Sequence, residues 1–527
     1  MQRPLGVQIA HALKARGITD VFGIPGVHNI ELYRGLHQAG LRHVLARHEQ
    51  GAGFMADGYA RASGKPGVAF VISGPGLTNI MTPMGQAYSD SVPMIVISIV
   101  LPSAEKGRGL GRLHELRDQE GAARAVCAWS QTADTPERMW QLLDRAFAMF
   151  AAGRPRPVHI QVPLDVIGAP ADPAPTPRAL PRRPMAQPGQ ISDVAEMLSA
   201  AKRPVLVIGG GCRDAVAPLT ELVEKARVPF FPTYAARGLL GEDHPLSLGA
   251  TLARPGSKEV FATADLVLAI GTELAETDLW RDTLGHDCPL IRVDIDPTRF
   301  DDLHSVALPI VSDAAAFANA LIGKLKSPFS RWSHSEVTQT REWLVSTALA
   351  ERPGPARIIP ALVEALPSNV MVLSDMTQLA YLAKEVVGLR KGGRWFHPVG
   401  YGTLGYGLPA AIGAKVAMPD RPVLAIVGDS GLQYTIQELG TLAERKLPLA
   451  VLLWDNGKLA EIEECMIEAQ IAPNNVIAKN PKFGLLARAY GIDFKQPDTL
   501  AELPGTISEA LRANGPTLIR VTPEIGD

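Results

Sequence analysis

The sequence predicts an α/β protein of three doubly wound domains, each with a parallel sheet. Short apolar and β-branched runs alternate along the chain with helical stretches, as expected for strands that are buried on both faces of a sheet. The length of 527 residues also exceeds what one hydrophobic core normally supports. Changes in composition at residues 168–190 and 326–355 divide the chain. The predicted domains therefore span residues 1–167, 190–325 and 356–527.

The first of these divisions is a predicted linker. Residues 168–190 contain too many prolines for a helix or an inner strand, so we expect them to be extended. Beyond them, apolar runs at 204–208, 265–270 and 290–294 predict strands of the middle domain. Glycines follow the first of these runs, but the third glycine of a dinucleotide-binding motif would fall on Asp214. That motif therefore fails.

The overall composition is that of a large enzyme of the cytoplasm. The formal charge of -2 gives no basic bias, so we expect neither nucleic acid nor a membrane as a partner. The first residues lack a signal-peptide pattern, and no run of 18 apolar residues occurs. The four cysteines are too scattered to predict a zinc site or a disulfide framework. They are Cys127, Cys212, Cys288 and Cys465.

Two polar positions follow predicted strands of the third domain. Asp429 comes after the apolar run 422–427, and Asn456 comes after the run 447–454, with a predicted helix at 433–445 between them. The carboxyl ends of parallel strands would bring a carboxylate, an amide oxygen and a backbone carbonyl together. These hard oxygen donors suit Mg²⁺, which would keep positions open for phosphate oxygens. Taken alone, the same spacing also fits residues that merely cap helices or turns.

The spacing resembles the thiamine diphosphate signature of the acetolactate synthase and decarboxylase superfamily, which is Gly-Asp-Gly followed by Asn-Asn. Ser430 stands where Gly is usual, and Asp455 replaces the first Asn. The resemblance implies thiamine diphosphate and Mg²⁺ as cofactors. It implies Asp429, Asn456 and Lys458 as the metal-binding positions. It implies Gly428, Ser430 and Gly431 as contacts of the cofactor.

Residues 47–61 resemble the helix that carries the catalytic glutamate of this superfamily, and Glu49 is the matching residue. A carboxylic acid that is hydrogen-bonded to N1' of the cofactor's pyrimidine favours the imino tautomer, which removes the C2 proton. A dry pocket with a raised pKa would suit such a glutamate. The alternative is a surface glutamate in a first helical turn.

Two glycine-rich turns resemble further cofactor contacts. Residues 73–79 follow the apolar run 67–72 and match a Gly-Pro-Gly-x-Thr-Asn turn, whereas residues 402–414 match the segment that bends the cofactor. Leu404 would be the apolar wedge between its two rings. Both turns also fit ordinary packed α/β domains. The implied contacts are Gly74, Thr78, Asn79, Gly402, Thr403 and Leu404.

Two histidines are candidates for the proton transfer that distinguishes members of the superfamily. Decarboxylases protonate the species left after loss of CO₂, whereas synthases present a second carbonyl. His28 and His114 lie in loops where relatives place residues that face the substrate. A structural, hydrogen-bonded histidine is the alternative for each. We therefore expect a 2-oxo acid decarboxylase, with a carboligase of acetolactate synthase type as the alternative.

A non-catalytic cofactor-binding subunit is a third hypothesis. Such a regulatory or scaffold protein would need the metal and phosphate residues, but it would not need the acid at N1'. The presence of Glu49 argues against it.

Three segments look like the branch of 5-guanidino-2-oxopentanoate decarboxylases: residues 23–35, 107–119 and 375–378. A guanidinium substrate would need carboxylates arranged for bidentate pairing. The implied substrate contacts are Gln119, Glu461, Ile462 and Glu464. Acidic residues in a first helical turn are equally typical of a surface. Residues 458–460 depart from the branch's usual Gly-Tyr-Gly, so the substrate or the cofactor affinity would differ.

The resemblance also bears on the middle domain and on assembly. The superfamily's middle domain carries FAD in acetolactate synthases, but residues 271–278 lack the Arg- and Asp-rich stretch of those members, so FAD is not expected. Glu49 and Asp429 belong to different predicted domains. In relatives, such residues meet between two subunits. A homodimer or homotetramer with sites at the subunit interface is therefore expected.

Overall fold

The protein folds into three α/β domains with parallel sheets, as the sequence predicts. The computed structural model describes residues 2–326 and 330–526. The three main sheets have six, five and six strands, and every strand pair in them is parallel. Their inner strands are apolar and buried because helices cover both faces, whereas several edge strands are partly exposed.

The N-terminal sheet has the strand order β3-β2-β4-β5-β7-β6, and β1 pairs antiparallel with β8 beside it. The strands are β1 (Arg3–Pro4), β2 (Asp20–Gly23), β3 (Arg42–Leu45), β4 (Gly67–Val71), β5 (Met94–Val100), β6 (Trp129–Thr132), β7 (Val158–Pro163) and β8 (Pro170–Ala171). The helices are α1 (Leu5–Ala15), α2 (Ile30–Arg34), α3 (Leu36–Ala39), α4 (Glu49–Ser63), α5 (Pro75–Ser89), α6 (Gln119–Arg124), α7 (Pro136–Ala152) and α8 (Leu164–Ile167).

The central sheet has the order β10-β9-β11-β12-β13. Its strands are β9 (Pro204–Ile208), β10 (Phe230–Pro232), β11 (Leu266–Ile270), β12 (Leu290–Asp294) and β13 (Leu308–Val311). Its helices are α9 (Pro188–Ala200), α10 (Val216–Ala226), α11 (Ser257–Ala262), α12 (Glu276–Leu279) and α13 (Ala314–Ile322). Short 3₁₀ helices lie at Gly210–Ala215, Tyr234–Ala236 and Pro297–Phe300. Two helices, α14 (His334–Glu351) and α15 (Pro353–Ala356), lead to the last domain.

The C-terminal sheet has the order β15-β14-β16-β17-β19-β18. Its strands are β14 (Met371–Ser374), β15 (Arg394–Phe396), β16 (Val423–Gly428), β17 (Ala450–Trp454), β18 (Asp493–Lys495) and β19 (Thr517–Val521). Its helices are α16 (Ile359–Ala365), α17 (Gln378–Val386), α18 (Gly407–Ala417), α19 (Asp429–Tyr434), α20 (Glu438–Glu444), α21 (Ala460–Glu468), α22 (Phe483–Ala489) and α23 (Leu503–Arg512).

Three sequence-based expectations about local structure need correction. The predicted helix at 433–445 is divided between two helices: α19 ends at Tyr434, and α20 begins at Glu438. The predicted linker ends earlier than 190, since α9 begins at Pro188, where a first-turn proline is tolerated. The break at 326–355 contains the 18-residue helix α14. Residues 327–329 of that break, and the domain ends Met1 and Asp527, lie outside the described residues.

The N-terminal and C-terminal domains meet through α4 and α18, which approach each other closely. A Cβ atom on Gly58 of α4 would lie 2.0 Å from the backbone oxygen of Ala410, and one on Gly413 of α18 would lie 1.9 Å from that of Met55. Only glycine permits such an approach. One buried hydrophobic cluster therefore continues through both domains.

Candidate active site

The metal-binding positions predicted from the sequence lie at one edge of the C-terminal sheet. Strands β16 and β17 are parallel neighbours, and Gly428 is in register with Trp454. Asp429 and Asn456 therefore leave the sheet side by side. Asp429 is buried and is the first residue of α19.

Three oxygen-bearing groups converge at this edge. The Asn456 amide ends in an oxygen and a nitrogen whose positions can be interchanged. One of these two atoms lies 2.9 Å from the backbone oxygen of Lys458 and 3.3 Å from Oδ1 of Asp429. If that atom is nitrogen, it donates to both oxygens. If it is oxygen, three oxygens face one another, an arrangement that a bound cation stabilises. One carboxylate, one amide and one carbonyl oxygen fit Mg²⁺. The described residues contain no cluster of three or more His, Cys, Asp or Glu side chains that could hold a metal.

Asn480 supports this group from a distant part of the chain. Its Nδ2 donates to Oδ2 of Asp429 at 2.5 Å and to Oδ1 of Asp455 at 2.7 Å. Burial raises the pKa of Asp429, and the Asn480 hydrogen bond opposes that rise. Arg520 Nε donates to Asp455 at 2.7 Å, so the extra carboxylate in the signature has a cationic partner. No sequence motif marks Asn480 or Arg520.

The side chain of Lys458 does not add a free cation to the site. Its Nζ lies 2.5 Å from Oε2 of Glu463, so the ammonium group pairs with α21. Its backbone oxygen is the atom that faces Asn456. The departure from the signature at this position therefore leaves the donor set unchanged.

The turn at 402–407 is held by a buried carboxylate, that of Asp375. Its oxygens accept hydrogen bonds from the backbone N–H groups of Met376, Gly405 and Gly407 at 2.8–3.1 Å. Burial raises the pKa of Asp375 to about 6.

The predicted cofactor contacts Gly402, Thr403 and Leu404 lie in this turn. The Thr403 hydroxyl donates to Oε1 of Gln86, a residue of the N-terminal domain, at 2.9 Å. Leu404 is half-buried and Gly402 is exposed. The turn is therefore anchored to both domains.

Glu49 is the first residue of α4 and is half-buried. Asn79 Nδ2 donates to its Oε2 at 2.9 Å, so a predicted cofactor contact holds the predicted catalytic carboxylate. Oε1 of Glu49 lies near Gly76, since a Cβ atom at that position would be 3.5 Å from it, an ordinary contact distance. The Thr78 hydroxyl donates to the backbone oxygen of Pro75 at 3.1 Å and stabilises the first turn of α5.

The two candidate histidines are neighbours at the same turn. The rings of His28 and His114 lie 5.0 Å apart, and His28 Nδ1 shares a 2.6 Å hydrogen bond with the hydroxyl of Ser73. Burial, followed by the charge of His114, lowers the pKa of His28. His114 has φ +60°, and its Nδ1 is buried without a hydrogen-bond partner within the described residues. A Cβ atom on Gly74 would lie 2.5 Å from the backbone oxygen of His114, so this turn requires glycine.

Gln119 is buried beneath this turn. Its Oε1 accepts from the Gly74 N–H at 2.9 Å, and its Nε2 donates to Ser98, to the Ile99 backbone oxygen and to Gln161. Its hydrogen bonds thus support Gly74 from within the domain.

The acidic residues of α21 already have protein partners. Glu461 accepts a bidentate pair from Arg352 at 2.7 and 2.8 Å, and the guanidinium of Arg352 lies 5.7 Å from the ring centre of Tyr381. Glu464 accepts from Gln378 Nε2 at 2.8 Å.

Two further side chains lie near the acidic residues of α21, namely Ile462 and Gln378. Ile462 is 48% exposed. Gln378 Oε1 lies 3.4 Å from Asn456 Nδ2, so one side chain separates Glu464 from the metal-binding position. Within the described part of the chain, no hydrogen bond or ion pair joins the residues that contact Glu49 to those that contact Asp429.

Comparison with known proteins places these groups in a family. Three family models match: the N-terminal TPP binding domain, the central domain and the C-terminal TPP binding domain of thiamine pyrophosphate enzymes, at residues 4–122, 191–321 and 375–521. Among the described residues, no helix is long and apolar enough to cross a membrane.

Two relatives cover nearly the whole chain. A probable 2-ketoarginine decarboxylase of Pseudomonas aeruginosa is 46% identical over 522 residues, which is 98% of this chain and 93% of the relative. The large subunit of acetolactate synthase isozyme 1 of Escherichia coli is 32% identical over 533 residues, with 97% and 92% covered. This chain belongs to the thiamine pyrophosphate enzyme family, whose cofactor is the thiamine diphosphate inferred from the sequence.

Proposed function

We propose that the protein is a decarboxylase of a small 2-oxo acid that depends on thiamine diphosphate and Mg²⁺. The observation that carries the proposal is the convergence of Asp429, Asn456 and the Lys458 carbonyl at the strand ends. The reaction class follows the relative that is 46% identical and named a probable 2-ketoarginine decarboxylase.

The cofactor would be held from both domains. Asp429, Asn456 and the Lys458 carbonyl would hold Mg²⁺ on the diphosphate, with Gly428, Ser430 and Gly431 as neighbouring phosphate contacts. Gly74, Thr78, Asn79, Gly402, Thr403 and Leu404 remain the proposed contacts elsewhere on the cofactor. When bound, thiamine diphosphate would supply a nucleophilic carbon that adds to the 2-oxo group and an attached cationic ring that takes up the electrons released as CO₂ leaves.

Glu49 would hold a proton at the pyrimidine ring. Asn79 fixes Oε2, while Oε1 lies near Gly76 and would be the oxygen that meets the cofactor. A carboxylic acid in this position controls which ring nitrogen carries a proton. A protein that only binds the cofactor, without catalysing a reaction, would not need Glu49.

His28 and His114 would supply the proton that completes a decarboxylation. Because the pKa of His28 is lowered, its ring is mostly neutral near pH 7 and can accept a proton and return it. The Ser73 hydroxyl fixes the ring orientation. His114 would complete the pair through its unpartnered nitrogen.

The proposed substrate is 5-guanidino-2-oxopentanoate, the 2-oxo acid of arginine. Glu461 binds a guanidinium, that of Arg352, so a substrate would have to displace Arg352 to use it. Glu464 is held at one oxygen by Gln378, which leaves the other oxygen for a single charged hydrogen bond to a guanidinium. Ile462 would contact the aliphatic part of the substrate, and Gln119 would act from beneath the Gly74 turn.

The proposed assembly is a homodimer or homotetramer without FAD. Glu49 and Asp429 lie in different domains, and within the described residues no hydrogen bond or ion pair joins their partners, so a partner subunit would bring the two halves of one site together. The domain limits 1–167, 190–325 and 356–527, and a cytoplasmic location, stay predictions.

The test is CO₂ release from purified protein with thiamine diphosphate and Mg²⁺. The substrates to compare are 5-guanidino-2-oxopentanoate, pyruvate, benzoylformate and branched-chain 2-oxo acids, with analysis of each product. Release of CO₂ with an aldehyde product from the guanidino acid supports the proposal. A coupled product from pyruvate would favour the carboligase alternative, which the acetolactate synthase relatives keep open. Release of no CO₂ from any of these acids would show the proposal to be wrong.

A further inference from the structure

A buried carboxylate of the C-terminal domain reaches the backbone of the N-terminal domain just before Glu49. Glu438 is fully buried, and its Oε1 accepts from the backbone N–H groups of Arg47 at 2.9 Å and His48 at 3.0 Å. Its Oε2 lies 3.2 Å from the Arg47 nitrogen. One carboxyl group of the C-terminal domain therefore accepts from two backbone donors that precede α4, from 390 residues away in the chain.

The local sequence makes room for this carboxylate. A Cβ atom on Gly51 would lie 2.2 Å from Oε1 of Glu438, so a side chain there would exclude the contact. The Thr441 hydroxyl lies 2.7 Å from Oε2 of Glu438 and 3.0 Å from the Leu45 backbone oxygen. The end of β3 and the start of α4 are thus both fixed from α20.

These contacts act on the segment that sets the position of Glu49. The first N–H groups of a helix have no partner within the helix, and the residues just before it decide where its first side chains point. Hydrogen bonds from neutral donors to a buried carboxylate are stronger than those between neutral groups. A shift of this segment would move Glu49 directly.

We propose that Glu438 is the positioning residue of Glu49, and that it holds the start of α4 so that the Glu49 carboxylate meets the cofactor's pyrimidine ring. This inference rests on the proposed function. It predicts that loss of the Glu438 carboxylate impairs activation of the cofactor more than its binding.

A neighbouring ion pair provides a matched control. Glu444 lies on the same helix and pairs with the side chain of Arg47 at 2.5 Å, but it is 51% exposed and makes no backbone contact with the segment before α4. Exposed pairs of this kind contribute little to stability. Glu438→Gln and Glu444→Gln each replace a carboxyl group by an amide on the same helix near Arg47. Only the first weakens the proposed positioning contact, because one amide oxygen is left to accept where two carboxyl oxygens accepted.

The first measurement uses the protein without cofactor. Backbone hydrogen–deuterium exchange of a peptide that contains Arg47 and His48 should be faster in Glu438→Gln than in the wild type, and unchanged in Glu444→Gln. Peptides from the central domain should exchange at the same rate in all three proteins. Unchanged exchange in Glu438→Gln would overturn the inference.

The second measurement follows the C2 proton of bound thiamine diphosphate, which exchanges with deuterium when the cofactor is activated. The exchange rate should fall by about 10-fold or more in Glu438→Gln, as part of the contribution of a positioned acid. The affinity for thiamine diphosphate should stay within about 3-fold, because the metal-binding residues are intact. Glu444→Gln should exchange like the wild type.

Thr441→Val covers the case in which Glu438→Gln does not fold. It removes one hydrogen bond to Glu438 and keeps the carboxyl group itself, so a smaller fall in C2 exchange is expected. A wild-type rate in a folded Thr441→Val, or in a folded Glu438→Gln, would overturn the inference. The C2 measurement needs no 2-oxo acid, so normal C2 exchange without CO₂ release would refute the proposed decarboxylase alone. A wild-type protein that binds no thiamine diphosphate would refute both.

Discussion

Glu49 is held by donors that the protein supplies, whereas Asp429, the Asn456 amide and the Lys458 carbonyl converge as the proposed ligands of a cation. On the first side, Asn79 binds the carboxylate and Glu438 fixes the backbone before it. On the second side, Asn456 and Lys458 face Asp429 in a way that a cation would complete. The comparison indicates that the fold itself positions the first half of the proposed site, whereas we expect a bound ion to complete the second half.

The largest effect is expected for Asp429→Ala. Removal of the only carboxylate of the proposed donor set should abolish Mg²⁺-dependent binding of thiamine diphosphate, and CO₂ release should fall by about 10³-fold or more. Calorimetric titration of the cofactor with and without Mg²⁺ measures the first effect. A chelator should reproduce the loss in the wild type, with recovery on adding Mg²⁺.

Asp493→Ala is the control for this prediction. Asp493 is a C-terminal-domain aspartate that is 60% exposed and pairs only with Lys495 at 3.8 Å. Its loss should leave the cofactor affinity unchanged. Tight binding of thiamine diphosphate by Asp429→Ala would contradict the proposed metal site.

Glu49→Gln should lower CO₂ release by about 10²–10⁴-fold, the range for a positioned acid. Its cofactor affinity should change little, because the diphosphate is held by the other half of the site. Glu31→Gln is the control, since Glu31 also lies in a first helical turn but pairs with Arg34 at the surface. Wild-type activity in Glu49→Gln would sink the proposed role.

Glu464→Gln should raise the KM for 5-guanidino-2-oxopentanoate by about 10-fold or more, as loss of a charged hydrogen bond does. The KM for pyruvate, which has no guanidinium, should stay the same. Glu468→Gln, at the exposed end of α21, is the control. Equal changes for both substrates would argue against a guanidinium contact at Glu464.

The pH dependence of stability should differ between wild type and Glu438→Gln. Burial raises the pKa of Glu438 from its ordinary 4.5 to about 7, while Thr441 and the Arg47 and His48 amides, together with the charge of Arg47, oppose the rise. The raised pKa means that this group stabilises the fold below pH 4.5 and loses that contribution as pH rises through about 7.

The glutamine variant lacks this titration. Its Tm relative to wild type should therefore rise between about pH 5 and 8, as measured by calorimetry in one buffer series. The same difference for Glu444→Gln should stay flat. A flat difference for Glu438→Gln as well would mean that Glu438 does not titrate in this range.

The smallest effect is expected for Lys458→Ala. The side chain pairs with Glu463 at a partly exposed position, where an ion pair contributes about 0–1 kcal/mol. Its backbone carbonyl, the proposed ligand, is kept, so the Mg²⁺ concentration for half-maximal activity should change by less than about 3-fold. A much larger change would show that the ammonium group acts in the site.

The strands were predictable where burial on both faces selects a continuous apolar run. Strands β9 and β12 begin and end where the sequence predicts them, at 204–208 and 290–294. The helix α14 was not predicted, because few of its residues are buried and no continuous apolar stripe marks it. The break between α19 and α20 depends on a distant contact, the hydrogen bond from the Thr435 hydroxyl to the Gly405 backbone oxygen.

In the candidate site, too, residues in local motifs were predicted, whereas contacts between distant segments were not. Glu49, Asp429 and Asn456 lie in short motifs, so local sequence was sufficient to find them. Asn480 lies 51 residues from Asp429, and Glu438 lies 390 residues from His48, with no local pattern to indicate either contact. The sequence could not show that Arg352 occupies Glu461, because that pairing joins two segments 109 residues apart.

The backbone contact between α4 and α18 limits how this enzyme can change its substrate range. Alanine at Gly58 or Gly413 would drive a methyl group into a carbonyl oxygen, so the relative orientation of the two domains leaves natural variation almost no freedom. Residues 107–113 and the outer face of α21 are exposed, so side chains there can change without such a clash. New substrate specificities should therefore arise, in nature or in a directed-evolution library, by changes in those two surfaces while the orientation of the two domains stays fixed.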